Sequence, residues 1–519
     1  MKKIKQLKPW LVPNIQSLAA LVLGALAVLA FAPFEFSPLA LLSLGGLFWL
    51  WSRANGYQQA FNYGLWFGLG LFGAGVSWVF SALYFYSDVP MLLSILLVFG
   101  FAFVLSLFPA AAGAIARSFY REEAAGRYLL FVFPASWVLF EGLRSILFGG
   151  LPFLLMGTSH LGTWLDGYAP VLGVHGVSFA VAMTAGILVW FIQHKQTLPG
   201  ALMIAFLWPI GGVLQKTQWV TPVDEPLQVA LIQGNFSQDL KWQPDQFWPM
   251  MRQNIAMTRE NLDADLVVWP ETSIPGYLDE AAKGPMRYFF DDARLQSTDI
   301  FVGVVSRNKE LGEYYNAMVN LRDPEQIYKK RRLVMFGEYY PFPALSERIA
   351  DYFGFPFSQF TKGFDDQPSL VLGGQPAGVS ICFEMMFGAE LARNLPHARY
   401  FITSSNDAWF VNTLEPAQMR QEVQMRAREL GREIVRANNT GYSSIIAADG
   451  SIKAEIEPYQ AAVLRGEVQP YEGLTPYARW TNWPISILVL TIFALLFMKR
   501  YSLIGRLWVG QGKVKPQQS

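Results

Sequence analysis

The stretch GVSICFEMMFG, residues 378–388, contains Cys382, the one cysteine of a 519-residue chain. Its apolar first half predicts a short buried strand that ends on the thiol, and Glu384 follows two residues later. A lone cysteine is most often a small buried apolar residue, but a thiol at a strand end can also act as a nucleophile. The stretch therefore predicts a strand-containing domain and leaves both roles of Cys382 open.

Two other apolar segments also end on ionisable residues. VVWPETSIP, residues 267–275, places Glu271 after a strand, and YKKRRLVMFGE, residues 328–338, contains Lys330 and Glu338. A thiolate can attack a carbonyl, a carboxylate can accept the thiol proton, and an ammonium can stabilise the oxyanion that forms. A helix cap and a solvated basic surface would explain the same residues, so a catalytic site is one of two interpretations.

The middle of the chain has the pattern of a layered α/β or α+β domain. Short segments rich in Val and Ile alternate with helical stretches at 245–262 and 416–437. The predicted strands lie within 227–235, 264–272, 299–307, 317–321, 376–384, 400–407, 442–450 and 461–468.

Charge divides the chain into distinct parts. Hydrophobic residues make up 52% of the chain and charged residues only 16%, which is below the level of soluble proteins. The first 215 residues contain ten basic and six acidic side chains, so most charges lie further along the chain. We therefore predict four parts: a membrane block (1–215), a soluble-type domain (216–479), a C-terminal span (480–498) and a basic tail (499–519).

Eight apolar segments have roughly the length needed to cross a bilayer as helices. They lie near 14–31, 36–52, 62–83, 90–116, 128–148, 168–193, 198–214 and 484–498. Lys and Arg occur at the N-terminus, in alternate loops and in the tail, whereas the opposite loops contain none. The positive-inside rule then predicts cytoplasmic termini and an outer position for residues 216–479. The first apolar run, which ends in AFA, is also compatible with a cleaved signal peptide.

Several function classes are disfavoured. A net charge of +1 argues against nucleic-acid binding. The four histidines are scattered without paired spacing, and we expect neither a metal nor a cofactor. Nothing in the sequence requires more than a monomer. Glu141 and Arg144, one turn apart near the outer end of the fifth predicted span, fit either a local ion pair or a contact with a lipid headgroup.

Five ordered motifs resemble the nitrilase, or carbon–nitrogen hydrolase, superfamily. They are VALIQGN, VVWPETSIP, YKKRRLVMFGEYYPF, ICFE and SSNDAWF. With a membrane block before them and one span after them, the whole chain resembles the apolipoprotein N-acyltransferase family, a membrane-embedded branch of that superfamily. The resemblance implies an eight-span helical bundle joined to an αββα sandwich.

The resemblance also implies roles for individual residues. Glu271 would be the general base, Lys330 the stabiliser of the oxyanion, and Cys382 the nucleophile. Family positions linked to activity or to positioning match Glu338, Glu384, Trp242 and Asn316. Two positions depart from the family pattern: Phe383 stands where tyrosine is frequent, and Met335 where proline is usual. Neither departure removes a member of the triad.

The reaction implied by the resemblance is acyl transfer at the periplasmic face of a bacterial inner membrane. The sn-1 acyl chain of a phospholipid, typically phosphatidylethanolamine, would pass through a cysteine thioester to the N-terminal α-amine of a diacylglyceryl-cysteine apolipoprotein. Apolar loops at 150–167, 355–360 and 407–412 are candidates for contact with lipid or for a lid. The alternatives are a membrane-tethered amidase and a transporter with an outer sensor domain. Ionisable residues are missing well inside the first four predicted spans, which argues against the transporter.

Overall fold

The computed structural model describes residues 14–511 apart from Asp88, Gln196, Pro285, 342–347 and 349–358. The lysine-rich N-terminus, the end of the basic tail and most of the candidate lid loop at 355–360 lie outside the described residues.

The N-terminal half of the described chain is helical. Its helices are α1 (Ile15–Ala27), α2 (Pro38–Arg53), α3 (Tyr57–Gly75), α4 (Val79–Tyr86), α5 (Met91–Phe119), α6 (Phe133–Arg144), α7 (Ala169–His194) and α8 (Thr197–Lys216). Small residues let these helices pack closely: a Cβ on Gly64 or Gly70 would lie within about 2.3 Å of the backbone of a neighbouring helix.

Three helices among the described residues are long and apolar enough to cross a membrane: Met91–Phe119, Trp164–His194 and Leu198–Lys216. The pair α3 and α4, bent by 51° at a short break, makes a fourth if it is counted as one span. Each of the eight predicted segments contains helix, but α1 and α2 are only 13 and 16 residues long. Length and composition therefore support three or four spans directly.

Two large sheets follow the helices within the described part of the chain, together with a two-stranded sheet that pairs Thr221–Pro222 with Tyr471–Glu472. The strands of the two large sheets are β1 (Leu227–Gln233), β2 (Leu266–Val268), β3 (Ile274–Tyr277), β4 (Asp299–Asn308), β5 (Glu313–Asn320), β6 (Ile327–Lys329), β7 (Leu370–Leu372), β8 (Gln375–Ile381), β9 (Tyr400–Ser405), β10 (Ile434–Asn438), β11 (Ser443–Ile446), β12 (Ile452–Ile456) and β13 (Ala462–Val468). The first sheet has the order β13-β1-β2-β4-β5-β6, with β3 beside β4, and the second has the order β12-β11-β10-β9-β8-β7. All eight predicted strand segments contain a strand.

The sheets pack face to face and are covered on both outer sides. Val229 and Val268 of the first sheet share a core with Ile381 and Ile402 of the second. Three helices cover the first sheet: α9 (Phe247–Arg259), α10 (Leu278–Lys283) and α11 (Arg287–Leu295). The second sheet is covered by α12 (Glu415–Leu430). This is the αββα arrangement that the resemblance implied; α13 (Trp483–Gln511) then ends the described chain.

One predicted helix was too long. The sequence predicts a helix over the whole of 416–437, but α12 ends at Leu430 and residues from Ile434 form β10. Gly431 has a φ of +62°, the left-handed conformation that ends helices, and the β-branched pair Ile434–Val435 favours a strand.

Candidate active site

The three predicted triad residues follow strands that the fold brings together. Glu271 comes two residues after Trp269, whose backbone N–H still pairs with the neighbouring strand β4. Lys330 directly follows β6, and Cys382 directly follows β8 of the facing sheet. Because the two sheets pack against each other, these strand ends converge at one side of the sandwich.

Cys382 is held in an uncommon backbone conformation. Its φ is +52°, in the left-handed region that residues with a side chain seldom adopt. The residue opens a tight turn, Cys382–Met386, and only the four residues Gly388–Leu391 then form α-helix. The segment after the thiol therefore contains only about one turn of α-helix, and a helix dipole does not explain thiolate formation. Such local strain is typical of functional sites.

Glu271 is fixed by two buried donors. Its Oε1 accepts a hydrogen bond of 2.7 Å from Asn316 Nδ2 and lies 3.3 Å from Lys330 Nζ. The segment that contains Glu271 lies directly against Gly303 of β4. A Cβ at Gly303 would be 2.4 Å from the carbonyl oxygen of Pro270 and 2.8 Å from Cα of Glu271, so this close approach requires glycine.

Lys330 lies between two carboxylates with only 2% of its surface exposed. Its Nζ is 2.9 Å from Glu338 Oε1, and Asn316 Nδ2 donates to that same oxygen at 2.9 Å. Burial alone would lower the pKa of Lys330, but the carboxylates of Glu271 and Glu338 outweigh burial and raise it. The side chain is therefore an ammonium, and two of its three N–H groups are engaged by carboxylates.

Burial raises the pKa of the Cys382 thiol well above its usual value, although the side chain keeps some exposure. Glu271 raises it further, and Lys330 opposes both effects. The resting group is therefore a neutral thiol beside a carboxylate. This arrangement suits a thiolate that forms as its proton passes to Glu271.

Glu384 connects the turn of Cys382 to the segment of Lys330. One carboxylate oxygen accepts from the backbone N–H of Ile381 at 2.7 Å, and the other accepts from Arg331 and Arg332 at 2.6 and 3.0 Å. The hydroxyl of Tyr328 adds a further donor at 2.9 Å. The carboxylate of Glu384 thus binds the residue before Cys382 and the two residues after Lys330. Burial raises the pKa of Glu384.

The two remaining predicted residues are less enclosed. Trp242 is 54% exposed and follows a short helical turn, Gln238–Lys241. Phe383 is partly buried and packs edge-on against Phe387, with ring centroids 5.1 Å apart.

Several residues of the site were not found from the sequence. Lys241 is buried and donates to the carbonyl oxygen of Glu271 at 3.2 Å; burial lowers its pKa to about 8, against the effect of Glu271. Asp407 and Arg436 form a buried pair at 2.8 Å, and Asp407 also raises the pKa of the Cys382 thiol. Asp407 lies in the SSNDAWF motif, which could have indicated it, whereas Arg436 lies in the segment 416–437 that the sequence predicts as helix.

Glu141 and Arg144 are buried and bond the loop that follows α6. Glu141 Oε1 accepts from the Met156 backbone N–H at 2.8 Å, and Arg144 donates to the Phe153 carbonyl at 2.7 Å. Their contacts therefore shape this loop. Among the described residues, no group of three or more His, Cys, Asp or Glu side chains could hold a metal ion.

Comparison with known proteins gives a match to both halves of the chain. Residues 23–187 match the family described as the apolipoprotein N-acyltransferase N-terminal domain, and residues 228–477 match the carbon–nitrogen hydrolase family. An apolipoprotein N-acyltransferase of Methylococcus capsulatus is 38% identical over 485 residues, which is 93% of this chain and 96% of that protein. Those of Coxiella burnetii and Nitrosomonas europaea are 33% and 36% identical, also over 93% of this chain and over 100% and 96% of their own lengths.

Proposed function

Because the chain belongs to the apolipoprotein N-acyltransferase family and is an enzyme of lipoprotein N-acylation, we propose that Cys382 carries the transferred acyl chain as a thioester. Glu271 is the base and Lys330 stabilises the oxyanion. The observation that supports this most is the buried contact of Lys330 with Glu271 and Glu338. Cys382, whose backbone is in the left-handed conformation, follows a strand of the facing sheet.

In the first half-reaction, Glu271 takes the thiol proton and the sulfur of Cys382 attacks the sn-1 ester carbonyl of a phospholipid. Negative charge then develops on the carbonyl oxygen, and the N–H of Lys330 that is not engaged by a carboxylate can donate to it. Collapse of this intermediate breaks the ester C–O bond. Glu271 returns the proton to the departing lysophospholipid hydroxyl, and an acyl thioester remains on the enzyme.

In the second half-reaction, the neutral α-amine of a diacylglyceryl-cysteine apolipoprotein attacks the thioester carbonyl. Glu271 accepts the amine proton, the C–S bond breaks, and the proton passes back to the sulfur of Cys382. A thioester suits this step because a neutral amine attacks it more readily than an oxygen ester. Water must be excluded between the two steps, since water would hydrolyse the intermediate.

The same proposal includes an arrangement in the membrane. Residues 1–215 form seven spans, residues 216–479 form the catalytic domain on the periplasmic side, and residues 480–498 form the eighth span. Both termini, including the basic tail at 499–519, lie in the cytoplasm of a bacterial inner-membrane protein that acts as a monomer. The asymmetric distribution of Lys and Arg among the loops supports this orientation. Phosphatidylethanolamine is the proposed typical donor.

The test is the intact mass of the purified full-length protein after incubation with phospholipid alone. The wild type should gain one fatty acyl mass that hydroxylamine removes, and Cys382→Ala should gain none. A diacylated lipopeptide should then discharge the adduct and become N-acylated. An equal adduct on Cys382→Ala would refute the thioester. Discharge at the same rate without the lipopeptide would favour the tethered hydrolase.

A further inference from the structure

One face of α12 makes polar contacts with the helical N-terminal block. The side chains involved are spaced as neighbours on one side of a helix. Gln421 accepts from Ala32 N–H, Gln418 bonds Trp78 Nε1 and Gly75 O, Glu422 accepts from Thr158 Oγ1, Glu429 accepts from Val174 N–H, and Arg428 pairs with Asp166.

Two of these contacts satisfy backbone groups that a helix break has opened. Gly173 inside α7 has a φ of +71° and a ψ of −179°, so the helix is interrupted there. The backbone N–H of Val174 is bound instead by Glu429 Oε1 at 2.6 Å. Gly75 ends α3 just before its bend, and its carbonyl oxygen accepts from Gln418 at 3.1 Å. Backbone groups at membrane depth need such partners.

Arg426 is the centre of this interface. It is 3% exposed, and its guanidinium lies 3.0 Å from Glu429 Oε2 and 3.8 Å from Glu422 Oε2. Glu429 and Glu422 are the two carboxylates that bind Val174 and Thr158 of the N-terminal block. Arg426 is therefore connected to two separate segments of that block through one carboxylate each.

Arg426 also contacts the turn that begins with the nucleophile. Its Nη1 donates to the carbonyl oxygen of Met386, the last residue of that turn, at 3.4 Å. Gly388, two residues on, packs so closely that an added Cβ would lie 2.8 Å from Arg426 Nη1 and 2.4 Å from Glu429 Oε2. Met386 and Phe387 pack into the apolar core of the N-terminal helices.

We propose that Arg426 is a positioning residue, which fixes the turn of Cys382 relative to the membrane block and so sets the thiol where a lipid ester can reach it. The proposal rests on Cys382 being the acyl carrier. Arg426 does not touch the reacting atoms; it acts through the carbonyl of Met386 and through Glu422 and Glu429.

Arg428 provides a matched control. It is 7% exposed, lies on the same helix, and bridges to the N-terminal block through Asp166 and the carbonyl of Gln215. Among the described residues, its remaining hydrogen bond is to the carbonyl oxygen of Asp449, in the turn after β11. Replacing Arg428 therefore weakens the same interface without touching the turn of Cys382.

The experiment compares Arg426→Gln, Arg426→Lys and Arg428→Gln in the full-length protein. Three quantities are measured: the rate of Cys382 acylation at saturating phospholipid, the rate of Cys382 alkylation by iodoacetamide, and the thermal midpoint. Arg426→Gln should slow acylation at least tenfold while alkylation stays within twofold of wild type. Arg426→Lys should recover part of the rate. Arg428→Gln should lower the thermal midpoint but change acylation less than twofold.

The outcomes separate the alternatives. If Arg426→Gln slows acylation and alkylation equally, Arg426 supports the whole site and the positioning role is wrong. If Arg426→Gln acylates at the wild-type rate, or Arg428→Gln slows acylation as much, the proposal is also overturned. Where Arg426→Gln does not fold, the same comparison is made with Arg426→Lys, for which a rate equal to wild type refutes the proposal. If the wild type itself forms no adduct, the proposed function has failed rather than the role of Arg426.

Discussion

Glu384→Gln should separate the catalytic strand ends without changing their side chains. In the wild type, both carboxylate oxygens of Glu384 only accept hydrogen bonds, from three backbone N–H groups and from the Tyr328 hydroxyl. A glutamine has one carbonyl oxygen and one NH2 group. If the oxygen keeps the N–H groups of Arg331 and Arg332, the NH2 faces the N–H of Ile381, and two donors oppose each other.

The cost follows from that single lost contact. A buried backbone N–H left without an acceptor costs about 1–3 kcal/mol. The N–H of Ile381 immediately precedes the nucleophile, so we expect this cost to appear in the barrier to acylation. A loss of 1–3 kcal/mol corresponds to a slowing of roughly 5-fold to 160-fold.

The assay is the time course of acyl-enzyme formation with phospholipid, followed by intact mass, for Glu384→Gln beside wild type. Glu390→Gln is the control, because Glu390 pairs with Arg332 in the same region but keeps about a quarter of its side chain exposed. Exposed pairs of this kind contribute about 0–1 kcal/mol, so Glu390→Gln should slow acylation by no more than about fivefold. A wild-type rate in Glu384→Gln, or equal losses in the two variants, would refute the argument that Glu384 holds the strand ends together.

Three further predictions test other contacts. Gly303→Ala places a methyl group 2.4 Å from the Pro270 carbonyl oxygen, at an overpacking cost of about 1–3 kcal/mol. This variant should both lower the thermal midpoint and slow acylation. Unchanged values for both would contradict the packing argument. Lys330→Met should slow acyl-enzyme formation by about 10²–10³ because an oxyanion donor is lost. Lys329 is the control: its ammonium lies over the Tyr315 ring at 4.0 Å, and Lys329→Met should stay within about threefold of the wild-type rate. The reverse order of the two rates would move the catalytic role to Lys329. Burial raises the pKa of Glu422 to about 7, so the folded state keeps a proton that the unfolded state releases, and stability should fall by about 3 kcal/mol as pH rises from 4.5 to 7. Thermal midpoints at pH 5 and 8 should show a smaller fall in Glu422→Gln than in wild type, and equal falls would contradict this prediction.

Glu271 and Cys382 could be singled out in the sequence because each lies at the end of a short segment rich in Val or Ile. Lys330 lies instead in the basic run KKRR, and its predicted role came from the resemblance. The sequence could not show that the three strands belong to two facing sheets, since the facing depends on packing between segments distant in the chain, such as Val268 and Ile381. The αββα layering therefore came only from the resemblance, and the packed core supports it.

The role of α12 was hidden for a different reason. Its Gln, Glu and Arg side chains have the composition of a solvated helix face. In the structure, that face is buried against other helices, where Gln418 and Glu429 bind backbone groups of Gly75 and Val174. Helix breaks leave these two backbone groups without a partner in their own helix. A hydropathy count does not show the breaks, because the apolar segment continues through them. The same limitation explains why the predicted third span is a bent pair of helices.

The contacts at the helix breaks impose an order on biosynthesis. The acceptor of the Val174 N–H, Glu429, lies 255 residues later in the chain, and the donor to the Gly75 carbonyl, Gln418, lies 343 residues later. At about 5–20 residues per second, the ribosome needs roughly 10–70 s to supply them. During that interval the N-terminal helices have left the ribosome with open backbone groups. The bundle is thus completed only when the sheet domain folds, and a nascent chain arrested before α12 lacks the partners of both backbone groups.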